Sequence, residues 1–426
     1  MRLADQLHAA RCLVAGLRSQ WWPAGRIEAY QEARLVTVMR HALAQVPFYR
    51  SLGIPAEDIN RGSDLQRFPL LRKRDVQQDP RAFLADGLVP GALYASRTSG
   101  SSGEPMTTYF DRESWLLTRY ALKMRRVAVT GGLPFMRRVF IVSEQRPEDL
   151  DTVARSAPNG LGILFDQRYV SIHTDPRQHL AEIDSFRPHI IYAFPSYLLD
   201  LAETAGRRNR PLPRVATLYT SSEVLTPSVR ERIEHSFRGR VYDVYGSTEF
   251  KEVAWQCDRG AYHLNFESVH VERHAAGSSA PLVLSTLCNL AMPLLRFDIG
   301  DRAVFGDDRC PCGRASPVLA TVTGREGEMI ELPSGRTLSP YLLTTEIESH
   351  PLIRKYRVIQ TARDAFRVEV VVANPEVGKE WHDRLCTALG RVVAEPVKFS
   401  LRVVDDIDRS PGGKRAVFVR APALAG

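Results

Sequence analysis

Ala95-Ser96-Arg97-Thr98-Ser99-Gly100-Ser101-Ser102-Gly103-Glu104-Pro105-Met106-Thr107-Thr108-Tyr109 is the stretch from which the rest of the chain can be read. Taken alone, a Ser/Gly run is a flexible surface loop. The same composition also suits an anion cradle. Glycine lets the backbone approach a ligand closely, successive N–H groups form a nest, and Ser/Thr hydroxyls add rotatable donors. Thr107, Thr108, Tyr109 and Phe110 then have strand propensity. Deciding between the two readings requires the motifs further down the chain.

A chain of 426 residues exceeds one ordinary core, and roughly 150 residues per domain predicts two or three lobes. The net charge of +8 suits an anionic ligand such as a nucleotide or a phosphate-bearing thiol. The basic clusters Arg72-Lys73-Arg74 and Arg207-Arg208-Asn209-Arg210 lack interleaved aromatics and read as solvated faces, so no nucleic-acid partner is expected. Arg2, Asp5 and Arg11 interrupt the apolar N-terminus, so no signal-peptide core is expected there. No apolar run approaches the ~18 residues of a membrane span. Scattered cysteines in so long a chain point to a reducing, cytoplasmic setting rather than a disulfide framework.

Residues 1–50 read as helix, with Ile27, Tyr30, Leu35, Val36, Met39, Ala42, Leu43 and Val46 on one stripe and Pro47 ending it. From about 90 to 320, buried strands alternate with helices. The strands are expected at 138–142, 189–194, 215–220 and 240–245, with helices from Tyr197 and from Thr226 to Phe237. That alternation predicts a mostly parallel sheet covered on both faces, with ligands beyond the carboxyl ends of its strands. Ser221-Ser222-Glu223 and Gly246-Ser247-Thr248-Glu249 fall at those ends. The stretches 281–284 and 294–297 read as a more antiparallel portion, followed by a turn at Asp298-Ile299-Gly300-Asp301. The expected fold class is thus α/β. A large N-terminal domain spans 1–325, and a small, mobile α+β lobe spans 326–426, hinged near Gly327.

Four clusters, Thr98-Ser99-Gly100-Ser101-Ser102-Gly103-Glu104-Pro105, Tyr245-Gly246-Ser247-Thr248-Glu249, Arg296-Phe297-Asp298-Ile299-Gly300-Asp301 and Gly324-Arg325, stand in a fixed order, and Arg409-Ser410-Pro411-Gly412-Gly413-Lys414 closes the series. Together they resemble the adenylate-forming enzymes, the superfamily of acyl-CoA ligases and adenylation domains. Cys310-Pro311-Cys312-Gly313-Arg314 and the short chain resemble the phenylacetate–CoA ligase branch, including its members in capsule gene clusters. The resemblance covers roughly residues 35 to 420.

The resemblance implies attack of a carboxylate on the α-phosphate of ATP, giving an acyl-adenylate and pyrophosphate. A thiol, coenzyme A, then displaces AMP. It implies that the Ser/Gly loop cradles the β- and γ-phosphates and that Glu249 holds Mg²⁺, a hard cation preferring oxygen. Tyr245 would lie along adenine, with Ser222, Glu223 and Asp243 near its edge. Asp301, helped by Arg325, would bind the ribose. Lys414 would place positive charge where negative charge builds on the transferring group. Each has a bland alternative: Glu249 as a cap, Asp301 as a turn aspartate, Lys414 as a tail lysine. Two departures from the family pattern stand out. Glu104 occupies a position where lysine is common, and Gly327 stands where the hinge is often Asp or Lys.

Phe194, Pro195, Tyr197 and the Tyr219–Ser222 segment, Ser221 included, are expected to line the acyl pocket from their place at strand ends, and aromatic walls suit an aryl or arylacetic acid. Cys257 and His263, with Cys310 and Cys312, form a ligand set that suits tetrahedral structural Zn²⁺ stapling two loops near the active site. Buried free thiols are the competing reading. A Walker-type NTPase is excluded because Gly103-Glu104-Pro105 lacks the Gly-Lys-Ser/Thr it requires. The acceptor of the acyl group stays open: an amine, an alcohol or a carrier protein could replace coenzyme A. A non-catalytic nucleotide binder on the same fold and a homodimer are also compatible with the sequence.

Overall fold

Alternating apolar runs bury strands on both faces, and here they assemble into one sheet of twelve strands. The computed structural model describes residues 3–97, 105–131, 137–144, 147, 165–307, 309–325, 329–373, 378–410 and 415–421. One half of the sheet is parallel: β5 (Phe165–Ser171), β4 (Arg137–Ser143), β6 (Ile190–Ala193), β7 (Thr217–Ser221) and β8 (Arg240–Ser247) lie side by side. The expected parallel strands are found across this half, and the expected more antiparallel portion follows it. At β8 the direction reverses, and β9 (Lys251–Gln256), β10 (Tyr262–Leu264), β14 (Val318–Arg325), β13 (Phe297–Phe305), β12 (Ser279–Thr286) and β11 (Val269–Val271) continue antiparallel. The reason is local. Parallel neighbours need a crossover helix, whereas β8 and β9 are joined by a three-residue turn that can only fold back.

Helices Pro176–Phe186, Pro195–Gly206 and Pro227–Phe237 cover the parallel half. Each has Pro at its first helical position, where the missing N–H costs nothing, and Asp175 and Thr226 cap two of them. Their apolar faces bury Leu180, Ile183, Leu198, Leu201, Ile233 and Phe237 against Phe140, Ile191 and Leu218 of the sheet.

The N-terminal segment is not one helix. It breaks between Leu3–Ser19 and Ala24–Gln45; the second helix stops ahead of Pro47, as expected, and Pro47 opens the turn Pro47–Arg50. Pro23 cannot continue a ladder, and Val46, preceding proline, is pushed to extended angles (φ −110°, ψ 121°).

Residues beyond 329 build their own core. A four-stranded sheet, ordered β19 (Lys398–Val403), β18 (Ala365–Val372), β17 (Ile353–Ala362) and β20 (Phe418–Arg420), packs on helices Pro340–Glu348 and Lys379–Val393. Leu385, Leu389 and Val393 recur at four-residue spacing and are fully buried there. Truncating Leu389 to alanine in such a core costs about 2–5 kcal/mol.

Candidate active site at the strand ends

The carboxyl ends of β6, β7 and β8 bring the expected motifs together. Ser222, just past β7, has φ +71°, and Lys251, at the start of β9, has φ +64°. Left-handed angles at non-glycine residues cost of order 1–3 kcal/mol and cluster at functional sites. Gly246 is required sterically, because a Cβ there would lie 2.4 Å from the Lys251 carbonyl oxygen. The Phe250 N–H donates to Ser247 Oγ at 3.0 Å. This pins the Thr248–Phe250 turn and places Glu249, 9% exposed, at the strand end.

Tyr245 and Asp301 meet directly: the Tyr245 hydroxyl donates to Asp301 Oδ2 at 2.8 Å. Burial, first, and then the Asp301 charge hold that phenol well above its usual range. Arg325 faces Asp301 across β13 and β14, with Nε 3.8 Å from Oδ1. Asp298–Asp301 is not the free turn expected from sequence but part of β13. The strand is kinked at Gly300 (φ +76°), whose N–H donates to Asp298 Oδ1 at 2.9 Å.

Two residues expected beside adenine are committed elsewhere. Asp243 is buried, and its oxygens accept from Thr220 Oγ1 at 2.5 Å and the Tyr262 hydroxyl at 2.6 Å. Burial raises its pKa against those two bonds, so it is a strut between strands. Glu223 accepts from the Ser196 N–H and Oγ, both at 2.9 Å, and from the Arg415 N–H at 3.0 Å. Of the expected acyl-pocket residues, Phe194, Pro195 and Tyr197 are buried in the helix-covered core, with the Tyr197 hydroxyl bonded to His179 Nδ1. Ser221 is partly accessible and Ser222 exposed, and the Ser221 Oγ is 2.7 Å from the Tyr192 hydroxyl. Strand-end position alone does not say which way a side chain turns.

Sequence reasoning missed Asp200. It lies on helix Pro195–Gly206 and receives Arg415 Nη2 at 2.9 and 3.0 Å, Arg409, and Lys355 Nζ at 3.9 Å. Arg409 Nη1 also donates to Ser196 Oγ at 2.9 Å. The residues beyond 329 are thereby held against the strand ends. No sequence spacing pairs an aspartate with arginines two hundred positions away. Thr98, Ser99, Gly100, Ser101, Ser102, Gly103, Glu104, Gly327 and Lys414 lie outside the described residues.

Cys257, His263, Cys310 and Cys312 do converge, with all donor atoms within 4.8 Å of one another. Cys257 and Cys310 sulfurs are 3.7 Å apart, and Cys312 Sγ is 3.2 Å from His263 Nε2. Thiolates bound to one tetrahedral zinc at ~2.3 Å stand about 3.8 Å apart, so the donor set fits that ion. His263 Nδ1 lies 2.8 Å from Ser316 Oγ, which leaves Nε2 facing the sulfurs. Burial and Arg314 lower the His263 pKa to about 4, keeping the ring neutral. The cluster is not beside the strand-end site. It sits past Gln256, the far end of β9 from Glu249, roughly 20 Å away at about 3.3 Å per residue.

Residues 166–281 match the family described as AMP-binding enzyme. The phenylacetate-coenzyme A ligase of Thermus thermophilus is 24% identical over 420 residues, covering 90% of this chain and 91% of that protein. Among solved structures, 2-hydroxyisobutyryl-CoA ligase in its postadenylation state superposes with a TM-score of 0.81 at 19% identity, over 96% of this chain and 92% of that one. The same protein in its thioesterification state gives 0.64 at 20% identity, over 95% and 92%.

Proposed function

We propose that the chain is an adenylate-forming AMP-binding enzyme of the phenylacetate–CoA ligase-like branch and that it converts a carboxylic acid to its coenzyme A thioester at the strand-end site. A carboxylate oxygen of the acid attacks the α-phosphorus of ATP, and the bond to pyrophosphate breaks. The thiol sulfur of coenzyme A then attacks the acyl carbon, and AMP leaves.

The observation that supports this reading is the Tyr245–Asp301–Arg325 group at the end of β8, with the Glu249 carboxylate close enough to act on the Tyr245 phenol. Asp301 keeps Oδ1 on the side facing Arg325, which suits a ribose hydroxyl pair. Glu249, nearly buried with oxygen donors, suits Mg²⁺, which when bound neutralises phosphate charge. The Ser/Gly loop Thr98–Gly103 is assigned to the β- and γ-phosphates, and Lys414, five residues beyond Arg409, to the charge that builds on the transferring group. Gly327 is assigned as the hinge between domains at 1–325 and 326–426. Cys257, His263, Cys310 and Cys312 are assigned to structural Zn²⁺: four protein ligands leave no open position for water. Cysteines kept reduced for a metal fit a reducing, cytoplasmic setting.

Substrate-dependent ATP–pyrophosphate exchange over a panel of carboxylic acids tests the first step, and product formation with and without coenzyme A tests the second. Exchange with at least one acid is expected, with thioester only when coenzyme A is present. Lys414→Ala should abolish exchange yet retain thioester formation from preformed acyl-adenylate. Exchange at the normal rate in that variant sinks the assignment of Lys414.

A further inference from the structure

One face of the helix that follows β3 (Thr107–Phe110) carries Trp115, Arg119 and Lys123 at four-residue spacing. The helix contains a π-helical turn, Leu117–Ala121, a feature frequent at functional sites. β9 packs on this turn and the helical residues after it. Its first residue, Lys251, comes two positions after Glu249 and aims at the same face, with Nζ 4.8 Å from the Phe110 ring and 5.0 Å from the Trp115 ring. Arg119 acts electrostatically on both lysines, and Lys251 acts on Lys123, so the three cations share one space.

Their counter-charges do not balance. Glu252 is taken by Arg126, whose Nε is 3.2 Å from both carboxylate oxygens, and that pair is almost wholly buried. Arg126 lies 4.0 Å above the Tyr219 ring, and its Nη1 is buried with no hydrogen-bond partner among the described residues. Arg119, Lys123 and Lys251 make no ion pair or hydrogen bond to a described carboxylate. Among the described residues Glu249 is the remaining acid near them, and the proposed reaction assigns it to a metal ion. Uncompensated like charges in an enclosed site are unfavourable unless a ligand supplies the opposite charge.

We propose that the acid activated here carries a second anionic group, received by Arg119, Lys123 and Lys251 beside the Phe110–Trp115 wall. This rests on the ligase reading above and names its substrate class: a carboxylic acid bearing a further carboxylate, sulfonate or phosphate. The aryl acid expected from sequence fits if it carries such a substituent.

The test is ATP–pyrophosphate exchange with matched acids: phenylacetate against 4-carboxyphenylacetate and 4-sulfophenylacetate, and butyrate against glutarate. The charged member of at least one pair should have the higher kcat/KM, by roughly ten- to a hundredfold. Lys251→Gln and Arg119→Gln should each pull that ratio towards one by raising KM for the charged acid, with KM for ATP unmoved, while Lys251→Arg should keep the ratio. A neutral acid preferred in every pair overturns the proposal and leaves the ligase reading standing. So does a KM for ATP that rises equally with every acid, which would make the cations a triphosphate site, or a change confined to KM for coenzyme A. No exchange with any acid overturns the ligase reading itself. Thermal unfolding of each variant, with a normal Tm, separates these outcomes from misfolding.

Discussion

Replacing Asp200 by alanine removes the acid on which Arg409, Arg415 and Lys355 converge. The side chains are well enclosed: Asp200 is 13% exposed and Arg415 6%. Breaking a buried pair by deleting one partner costs about 3–5 kcal/mol, because the other charge is left without compensation. Several cations remain and can spread towards solvent, so about 3 kcal/mol is expected, equivalent to more than roughly a hundredfold in the docked-to-undocked ratio. The loss falls on contact between the two lobes, not on either core. Amide hydrogen exchange reads it directly, since the Arg415 N–H donates across that contact to Glu223, which also accepts from the Ser196 N–H on its own side. Peptides spanning 195–206 and 415–421 should exchange about a hundredfold faster in Asp200→Ala, while 385–393 should not change. The double variant Asp200→Ala/Arg415→Ala should cost less than the sum of the singles. Burial raises the Asp200 pKa, but Arg415, Arg409 and Lys355 outweigh it and the net shift is downward. The contribution is therefore complete above the usual aspartate range near 4 and is lost as pH falls through the lower folded value. Unchanged exchange at 195–206 and 415–421 in Asp200→Ala refutes the reasoning.

Three further outcomes are expected. Elemental analysis should find zinc near one per chain, lost in Cys312→Ser, with the unfolding temperature of the wild type dropping after chelation; full stability in the metal-free protein counts against a structural role. Tyr245→Phe, which deletes the 2.8 Å bond to Asp301, should raise KM for ATP roughly tenfold if that bond orients the nucleotide side chains, and an unchanged value dismisses the link. Lys251, facing Arg119, Lys123, Glu249 and the Phe110 and Trp115 rings, has its pKa lowered to about 7. Between pH 7 and the usual lysine range near 10.4 the unfolded chain holds the extra proton, so this group's contribution to stability rises with pH. Lys251→Met should therefore gain most over wild type at pH 6 and least at pH 9; a difference independent of pH contradicts that ionisation.

Much of the framework is local and was readable as such. Val241, Val244, Ile190 and Leu218 lie in short apolar runs flanked by turn residues, and these runs became β6, β7 and β8. The same holds for the Lys379–Val393 helix, whose four-residue repeat is unambiguous. The helix from Arg112 to Thr130 was not foreseen. Its buried face includes Arg125 and Arg126, and a buried arginine breaks the apolar stripe that marks a helix in sequence.

What the chain's order of residues determined by itself was the set of chemical parts: a Ser/Gly cradle, a Glu after Tyr-Gly-Ser-Thr, an aspartate before a Gly-Arg pair, and Cys and His in two pairs. These follow from side-chain chemistry and short-range spacing, which need no partner to be recognised. Only the folded structure decided which polar groups are spent inside the protein and which remain for a ligand. Asp243 is consumed by Thr220 and Tyr262, Glu223 by Ser196 and Arg415, while Lys123 and Lys251 form no ion pair with a described carboxylate. Each carboxylate has few acceptor positions, and whichever donor the fold brings within about 3 Å takes them. That competition is settled by pairs far apart along the chain, such as Asp200 with Arg415.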